Sequence, residues 1–188
     1  LIINPLSGDI LVSRKHIPKD FEWDKCNSKF PFAFSVDGQS IFIGNCMAQI
    51  AQYDVENLNL IKVDNWLENI QKIELEQLGE KSSKKSKIRF NEIFVQNDGS
   101  LLVSVGKKGR VYKIISDLGE ISFVTENLGN QEGHFSFSPD WKMTMLNSNN
   151  LNLWDLDSKL PLLCAETPGV FATKTVRFHP IKKAVIVG

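Results

Sequence analysis

Hydrophobic and polar residues alternate in a short phrase that recurs along the chain. Two or three alternating apolar residues lead into a polar turn, and a second apolar run follows the turn. The clear copies lie at 34–43, 94–103, 137–145 and 178–186, and a weaker copy lies at 3–12. Alternation with a period of two residues predicts β-strands, so each copy predicts a pair of strands joined by a turn.

The copies return at a nearly constant spacing. Asp98 and Asp140 are 42 residues apart, and Ile181 follows Asp140 by 41 residues. Asp37 and Asp98 are 61 residues apart, so that unit contains an insertion. One unit shows four short predicted strands, at 134–138, 142–146, 151–156 and 161–165. Four antiparallel strands in about 42 residues are typical of one blade of a β-propeller.

Particular dipeptides stand near the end of the predicted third strands. Trp154-Asp155 stands there in 151–156, and Tyr53-Asp54 and Tyr112-Lys113 hold the equivalent place in the two earlier units. Together with the phrases at 138–140 and 178–180, these residues resemble the WD-repeat family. The resemblance covers about 30–188. It implies an all-β fold, a propeller of four-stranded antiparallel blades, and seven blades in a complete ring.

The resemblance also shows a difference in polar residues. The family often joins a Gly-His pair and a hairpin Asp in a buried hydrogen-bond tetrad. Here Gly133-His134 abuts the strand directly, and the hairpin places hold Met47, Lys108 and Ser148. The resemblance therefore implies a divergent WD-repeat propeller without the tetrad, and we expect its blades to rely on apolar packing alone.

These patterns divide the chain into repeated units. We expect 1–188 to form a partial propeller of about four units, with both chain ends cutting through a repeat. The predicted units are 1–29 (irregular), 30–63, 88–128, 133–168 and 169–188 (incomplete), with an insertion at 64–87. A closed propeller has four to eight blades, so we expect the rest of the ring to come from a longer chain or from another chain.

The first half of the insertion has the periodicity of a helix. Asn65 and Glu68 have the spacing of a capping box, which predicts a helix over 66–78. A strand through 73–75 is the alternative. The helical apolar stripe must cover a blade edge of its own molecule or dock onto a partner. Trp66, at the start of this stripe, is a candidate interaction residue.

The second half of the insertion is a polar and basic loop. Its candidate interaction residues are Lys81, Lys84, Lys85 and Lys87. Charge runs of this kind are usually solvated, and the sharper alternatives are an acidic partner, nucleic-acid phosphate or a nuclear address. No aromatic residue is interleaved for base stacking, so binding of nucleic acid is weakly supported.

A candidate for partner contact also lies in a turn. Trp141 follows the Ser-Pro-Asp turn, where a glycine is more usual. An exposed aromatic residue there would lie on a propeller face, where partners bind, although local packing is the competing interpretation.

The sequence contains no recognisable catalytic constellation. His16, His134 and His179 lack the spacing of a metal site, and no phosphate-cradling glycine loop is present. We therefore predict no cofactor, metal or catalytic residue. A propeller enzyme of the metal-dependent hydrolase or lactonase type is the alternative, since its acids or histidines could converge from several blades.

Composition adds the cellular context. The 188 residues are 42% hydrophobic, and 22 Lys and Arg balance 22 Asp and Glu. The three cysteines, Cys26, Cys46 and Cys164, are widely spaced, so we expect unbridged thiols in a reducing compartment. No apolar run reaches the roughly 18 residues of a membrane span. We predict a non-catalytic interaction scaffold with protein partners, in an intracellular assembly of the cytoplasm or nucleus.

Overall fold

The computed structural model describes residues 2–3, 10–12, 21, 30–78, 88–105, 110–125, 134–137, 142–147, 150–155, 158, 160–166, 176–178 and 185–187. Their regular elements are β-strands, one α-helix, α1 (Leu67–Leu78), and a short 3-10 helix at Ser116–Leu118. The strands are β1 Ile2–Ile3, β2 Ile10–Val12, β3 Phe32–Phe34, β4 Ser40–Gly44, β5 Gln49–Asp54, β6 Leu60–Asn65, β7 Phe90–Val95, β8 Leu101–Val105, β9 Arg110–Ile115, β10 Glu120–Thr125, β11 His134–Phe137, β12 Lys142–Asn147, β13 Asn150–Asp155, β14 Leu160–Glu166, β15 Val176–Phe178 and β16 Val185–Val187.

Consecutive strands are neighbours in their sheets. The first sheet has the order β3-β4-β5-β6, the second sheet β7-β8-β9-β10 in the same sequential order, and the third sheet β11-β12-β13-β14. The pairs β1–β2 and β15–β16 form two-stranded sheets. This up-and-down order within four-stranded sheets is that of propeller blades, and the predicted fold class is confirmed.

Contacts divide the chain into two compact units. One unit contains 1–106 and 112–122, and the other contains 107–111 and 123–188. Within the first unit, β3 and β4 both contact β7. Within the second unit, β11 and β12 both contact β15. In each unit, therefore, the first two strands of one sheet contact the first strand of the next sheet.

The first sheet has two apolar faces because its residues alternate in direction. We call the side that carries Ile41, Ile43, Ala51 and Tyr53 the proximal face. These residues form a buried core with Phe21, with Phe30, Val55, Leu58 and Val63 packed around it. The opposite side, which we call the distal face, carries Ala33, Phe42, Gly44 and Ile50.

The distal face of the first sheet packs against the second sheet at Gly44. A Cβ atom at this position would lie 2.8 Å from Cδ1 of Ile93 and 3.2 Å from Cδ2 of Phe90. Both of these β7 residues are buried. The absence of a side chain at Gly44 therefore permits the close approach of the two sheets.

Helix α1 connects the first sheet to the second sheet. Asn65 Oδ1 accepts a hydrogen bond from the Leu67 N–H at 3.1 Å, which satisfies a free donor at the start of the helix. Ile70 is fully buried, and Ile73 is also buried. The predicted helix is confirmed, and the alternative strand through 73–75 is wrong. The buried stripe packs on its own molecule.

Candidate interaction surface

The turn between β3 and β4 is fixed by its own side chains. Asp37 Oδ1 accepts hydrogen bonds from the Ser35 hydroxyl at 2.6 Å and from the Gln39 N–H at 3.0 Å. The Ser35 hydroxyl and the Gln39 N–H lower the pKa of Asp37. Gly38 has a φ of 71°, which favours glycine. The turn therefore holds its shape while Asp37 stays exposed.

The turn between β7 and β8 repeats this arrangement. Asp98 Oδ1 accepts a hydrogen bond from the Ser100 N–H at 2.9 Å, and its Oδ2 accepts one from Lys113 Nζ at 2.9 Å. The Ser100 hydroxyl, followed by Lys113, lowers the pKa of Asp98 to about 2. Gly99 has a φ of 80°. Asp-Gly therefore has the same structural role in both sheets.

An aspartate at the end of the third strand fixes the next turn. Asp54 Oδ1 accepts a hydrogen bond from the Asn57 N–H at 3.0 Å. Asp155 Oδ1 accepts the corresponding bond from the Ser158 N–H at 2.9 Å. Tyr53-Asp54 and Trp154-Asp155 end their six-residue strands. The predicted equivalence of these two dipeptides is confirmed, and the Asp of the phrase caps a turn.

In the second sheet, the dipeptide Tyr112-Lys113 does not lie at the end of the third strand, as predicted, but two residues before it. Strand β9 ends at Ile114-Ile115, and Tyr112-Lys113 lies two residues earlier in that strand. Tyr112 is fully buried, and its hydroxyl lies 3.4 Å from Oε1 of Glu74 on α1. Tyr112 therefore faces the helix and does not end the strand.

The turn between β4 and β5 contains a buried polar network. Asn45, with only 1% of its surface exposed, accepts hydrogen bonds through Oδ1 from the Met47 N–H at 2.9 Å and the Gln49 N–H at 3.0 Å. Its Nδ2 donates to Oε1 of Gln49 at 2.7 Å. The expectation that the blades rely on apolar packing alone is therefore wrong. A single Asn satisfies the backbone of this turn.

Four turns of the first unit lie at one end of their sheets. The Phe90 N–H, at the start of β7, donates to the carbonyl oxygen of Asn45 at 3.3 Å, just beyond the end of β4. The start of β4 and the end of β7 therefore lie at the opposite end. Because successive strands reverse direction, that end contains the turns 35–40, 54–59, 96–100 and 116–119. We call this surface the turn face.

The turn face is acidic. Its four turns contain Asp37, Asp54, Glu56, Asp98 and Asp117, and they contain no Lys or Arg. Two lysines of adjoining strands pair with these acids: Lys113 with Asp98, and Lys62 with Asp117 at 3.2 Å. The Lys62–Asp117 pair links the first sheet to the second, and the Ser116 hydroxyl also donates to Asp64 Oδ2.

Two solved structures are similar to this chain in fold. The β-propeller domain of Cps50 (Swd1) from Myceliophteria thermophila matches with a TM-score of 0.58 and 13% identity, over 92% of this chain and 54% of that domain. A chain of the mitotic checkpoint complex matches with a TM-score of 0.57 and 15% identity, over 84% of this chain and 44% of that chain. The chain has a β-propeller fold.

The structural similarity supports the resemblance to a divergent WD-repeat propeller. The chain spans about half the length of these two structures. No family model matches the sequence. No curated protein is significantly similar to it in sequence. The propeller fold is therefore visible in the structure and has diverged far in sequence.

The candidate interaction residues have different positions in the propeller. Trp66 is buried, with 4% of its surface exposed, and its indole N–H has no hydrogen-bond partner among the described residues. It therefore belongs to the interior beside α1 and offers no surface to a partner. The other five candidates lie outside the described residues: Trp141, Lys81, Lys84, Lys85 and Lys87. The turn face was not predicted, although its Asp-Gly pairs signal it.

Other expectations concern the chemistry of the propeller. Cys46 is disulfide-bonded, so the expectation of an unbridged thiol is wrong for this residue. The cysteines therefore do not support a reducing compartment. Among the described residues, no three or more His, Cys, Asp or Glu side chains are grouped as they would be around a metal ion. Within the same part of the chain, no helix is long and apolar enough to cross a membrane.

Proposed function

We propose that the chain is a non-catalytic protein–protein interaction scaffold of the WD-repeat type and works within a larger assembly. The turn face is the observation that carries this proposal. Three of its turns are fixed by hydrogen bonds that backbone N–H groups donate to aspartate carboxylates, so partner binding would cost little conformational entropy. One propeller with a similar fold belongs to the mitotic checkpoint complex, which is consistent with a role in an assembly.

The charge of the turn face indicates the chemistry of its partner. Acidic side chains attract cationic protein segments and repel nucleic-acid phosphate. Glu56 is exposed, and the Asp117 side chain is 96% exposed. These two carboxylates extend into solvent at the ends of the two sheets. We therefore propose that a protein segment rich in Lys or Arg binds the turn face.

A pair of matched charge reversals tests this proposal. Glu56→Lys changes an exposed residue of the turn face, whereas Glu68→Lys makes the same change on the exposed side of α1, near the opposite end of β6. Proteins retained by the immobilised chain would be identified, purified and measured by calorimetry. We expect Glu56→Lys to weaken partner binding at least tenfold and Glu68→Lys to preserve it.

One outcome would contradict the scaffold function, and another would contradict only the assignment of the turn face as its binding surface. If no protein binds the wild-type chain reproducibly, the scaffold function is wrong. If a partner binds both variants as tightly as the wild type, the scaffold function stands and the turn face is not its binding surface. A lower affinity at high ionic strength would further support the charge contribution.

The basic loop and Trp141 remain proposals for additional contact sites. We propose that Lys81, Lys84, Lys85 and Lys87 contact an acidic part of a partner, and that Trp141 contacts a partner by its ring. Replacement of the four lysines by Gln, or Trp141→Ala, should weaken binding of the same purified partner. A salt titration with duplex DNA separates the alternative, because phosphate contact gives a steep dependence on salt that the Gln variant loses.

A further inference from the structure

A large aliphatic side chain is exposed near the start of β6, the last strand of the first sheet. Strand β6 pairs with β5 through Lys62 opposite Gln52 and then through Leu60 opposite Tyr53. Ile61 is therefore the extra residue of a β-bulge, which leaves it unpaired and re-aims its side chain. Ile61 is 51% exposed. The bulge thus presents an apolar side chain directly beside the turn face.

The third sheet repeats this bulge at the equivalent place. The pairing of β13 with β14 shifts between Leu153 and Trp154, which leaves Leu162 as the extra residue of a second bulge. Leu162 is 49% exposed, nearly the same fraction as Ile61. An exposed aliphatic residue that recurs at one place in two sheets is a feature of the repeated unit and not of a single loop.

A second exposed apolar residue lies near Ile61 in the first unit. Lys62 Nζ pairs with Asp117 Oδ1 at 3.2 Å, and this ion pair joins the first sheet to the second. Ile61 precedes Lys62 in the sequence, and Leu118 follows Asp117 with 67% of its surface exposed. Ile61 and Leu118, which we call the junction patch, therefore lie beside the same ion pair, where the two sheets meet.

Carboxylates adjoin the junction patch. Lys62 Nζ lies near Asp64 Oδ2, at 3.7 Å, as well as near Asp117, so these three side chains together carry a net negative charge. The Asp117 side chain is 96% exposed, and Glu56 is exposed on the neighbouring turn. An apolar centre with an acidic rim is complementary to a protein segment in which an apolar side chain stands next to Lys or Arg.

We propose that the junction patch binds an apolar side chain of the partner segment, next to the Lys or Arg that the carboxylates bind. The proposal rests on the proposed function, because it assigns a second subsite to the same partner. The cationic residues of the segment are attracted by the turn face, and its apolar residue adds affinity because contact with Ile61 and Leu118 removes apolar surface from water. The partner segment is therefore amphipathic as well as basic.

Two synthetic peptides of equal length and charge test the proposal. One peptide combines Lys with Leu and Gly, and the other has Ser in place of each Leu. Fluorescence anisotropy with the 188-residue chain should show about tenfold tighter binding of the Leu peptide, as expected for burial of one leucine side chain. Ile61→Ser with Leu118→Ser should abolish this difference and preserve the affinity for the Ser peptide. Leu75→Ser, at a position of α1 that is 54% exposed, is the matched control and should bind both peptides as the wild type does.

The results separate a failure of the junction patch from a failure of the proposed function. If the wild type binds both peptides equally and Glu56→Lys weakens both, the junction patch is overturned and the proposed function stands. If neither peptide binds, recognition of cationic segments by the turn face is wrong, and the junction patch falls with it.

The variants decide whether the preference for Leu arises at the junction patch. A preference that persists in the Ile61 and Leu118 double variant, with its circular dichroism unchanged, overturns the proposal. If the double variant unfolds, Leu118→Ser alone serves instead, because Leu118 is the more exposed of the two residues. It should reduce the preference about threefold, and an unchanged preference would overturn the proposal.

Discussion

Gly44→Ala is the substitution that most directly tests the packing of the first sheet on the second. The added Cβ would lie 2.8 Å from Cδ1 of Ile93, well inside an ordinary contact of about 3.5–4.0 Å. Overpacking of this kind costs about 1–3 kcal/mol. Reduced freedom of the unfolded chain offsets about 0.4–1 kcal/mol. We therefore expect Gly44→Ala to lower the free energy of unfolding by about 1–2 kcal/mol.

A double-mutant cycle separates this clash from other effects of the substitution. Ile93→Val removes the Cδ1 atom and alone should cost about 0.5–1.5 kcal/mol. The double variant should lose at least about 1 kcal/mol less than the sum of the single variants, measured by urea denaturation. Gly38→Ala is the control, since its Cβ would meet nothing within 4 Å. It should show no coupling to Ile93→Val.

The coupling energy also shows whether Gly44 and Ile93 are in contact. If the effects of Gly44→Ala and Ile93→Val add within about 0.5 kcal/mol, the two residues are not in contact and the described sheet packing is wrong. A change in the urea m-value would instead indicate a change in the unfolded state, so the cycle is interpreted only at constant m-value.

Three further predictions concern α1, the disulfide and pH. Ile70→Ala should lower the free energy of unfolding by about 2–5 kcal/mol, whereas Leu75→Ala, at an exposed position, should change it by less than about 0.5 kcal/mol in the same urea assay. Thiol titration of the unreduced, denatured chain should find one free thiol among its three cysteines. Reduction of the disulfide should lower the free energy of unfolding by about 2–4 kcal/mol. The Cys46→Ala variant, which lacks the disulfide, should not respond to reduction. Asp98→Asn should flatten the loss of stability between about pH 4 and pH 2, because the folded pKa of Asp98 is lowered to about 2.

The sign and size of the Asp98 effect follow from its environment. Its folded pKa lies below the unfolded value, so its contribution is present above about pH 4 and disappears as the pH falls towards 2. The side chain is 58% exposed, so the contribution should be under about 1 kcal/mol. Identical pH profiles for wild type and Asp98→Asn would contradict this assignment. If Ile70→Ala and Leu75→Ala lowered the free energy of unfolding equally, the prediction for α1 would be wrong. Three free thiols would contradict the prediction for the disulfide.

The sequence was sufficient to predict the strands and the helix because both signals are local. An apolar run directly after the Asp-Gly turn places β8 at Leu101–Val105, and the Asn65 cap with apolar residues at helical spacing places α1. Central strands are covered on both faces, so their residues do not alternate between apolar and polar. In β8, for example, all five residues are buried. Turn signals then separate these strands from their neighbours.

Other features depend on distances that a sequence does not contain. The position of Tyr112 in β9 depends on the length of the preceding turn, and a two-residue error in that length assigned it to the strand end. The environment of Trp66 depends on how α1 lies on its own sheets. The buried role of Asn45 was missed because a polar residue in a turn is usually exposed.

The acidity of the turn face has two separate origins. Asp37, Asp54 and Asp98 accept backbone N–H groups, so their carboxylates are required by the turns. The exposed carboxylates of Glu56 and Asp117 extend from turns that other residues fix. Substitution of the first group changes both charge and turn geometry, whereas substitution of Glu56 changes charge alone. Partner specificity can therefore vary at Glu56 without loss of the turns, and an effect on binding there reports recognition rather than folding. Substitution of Asp117 would in addition remove its ion pair with Lys62, which links the two sheets.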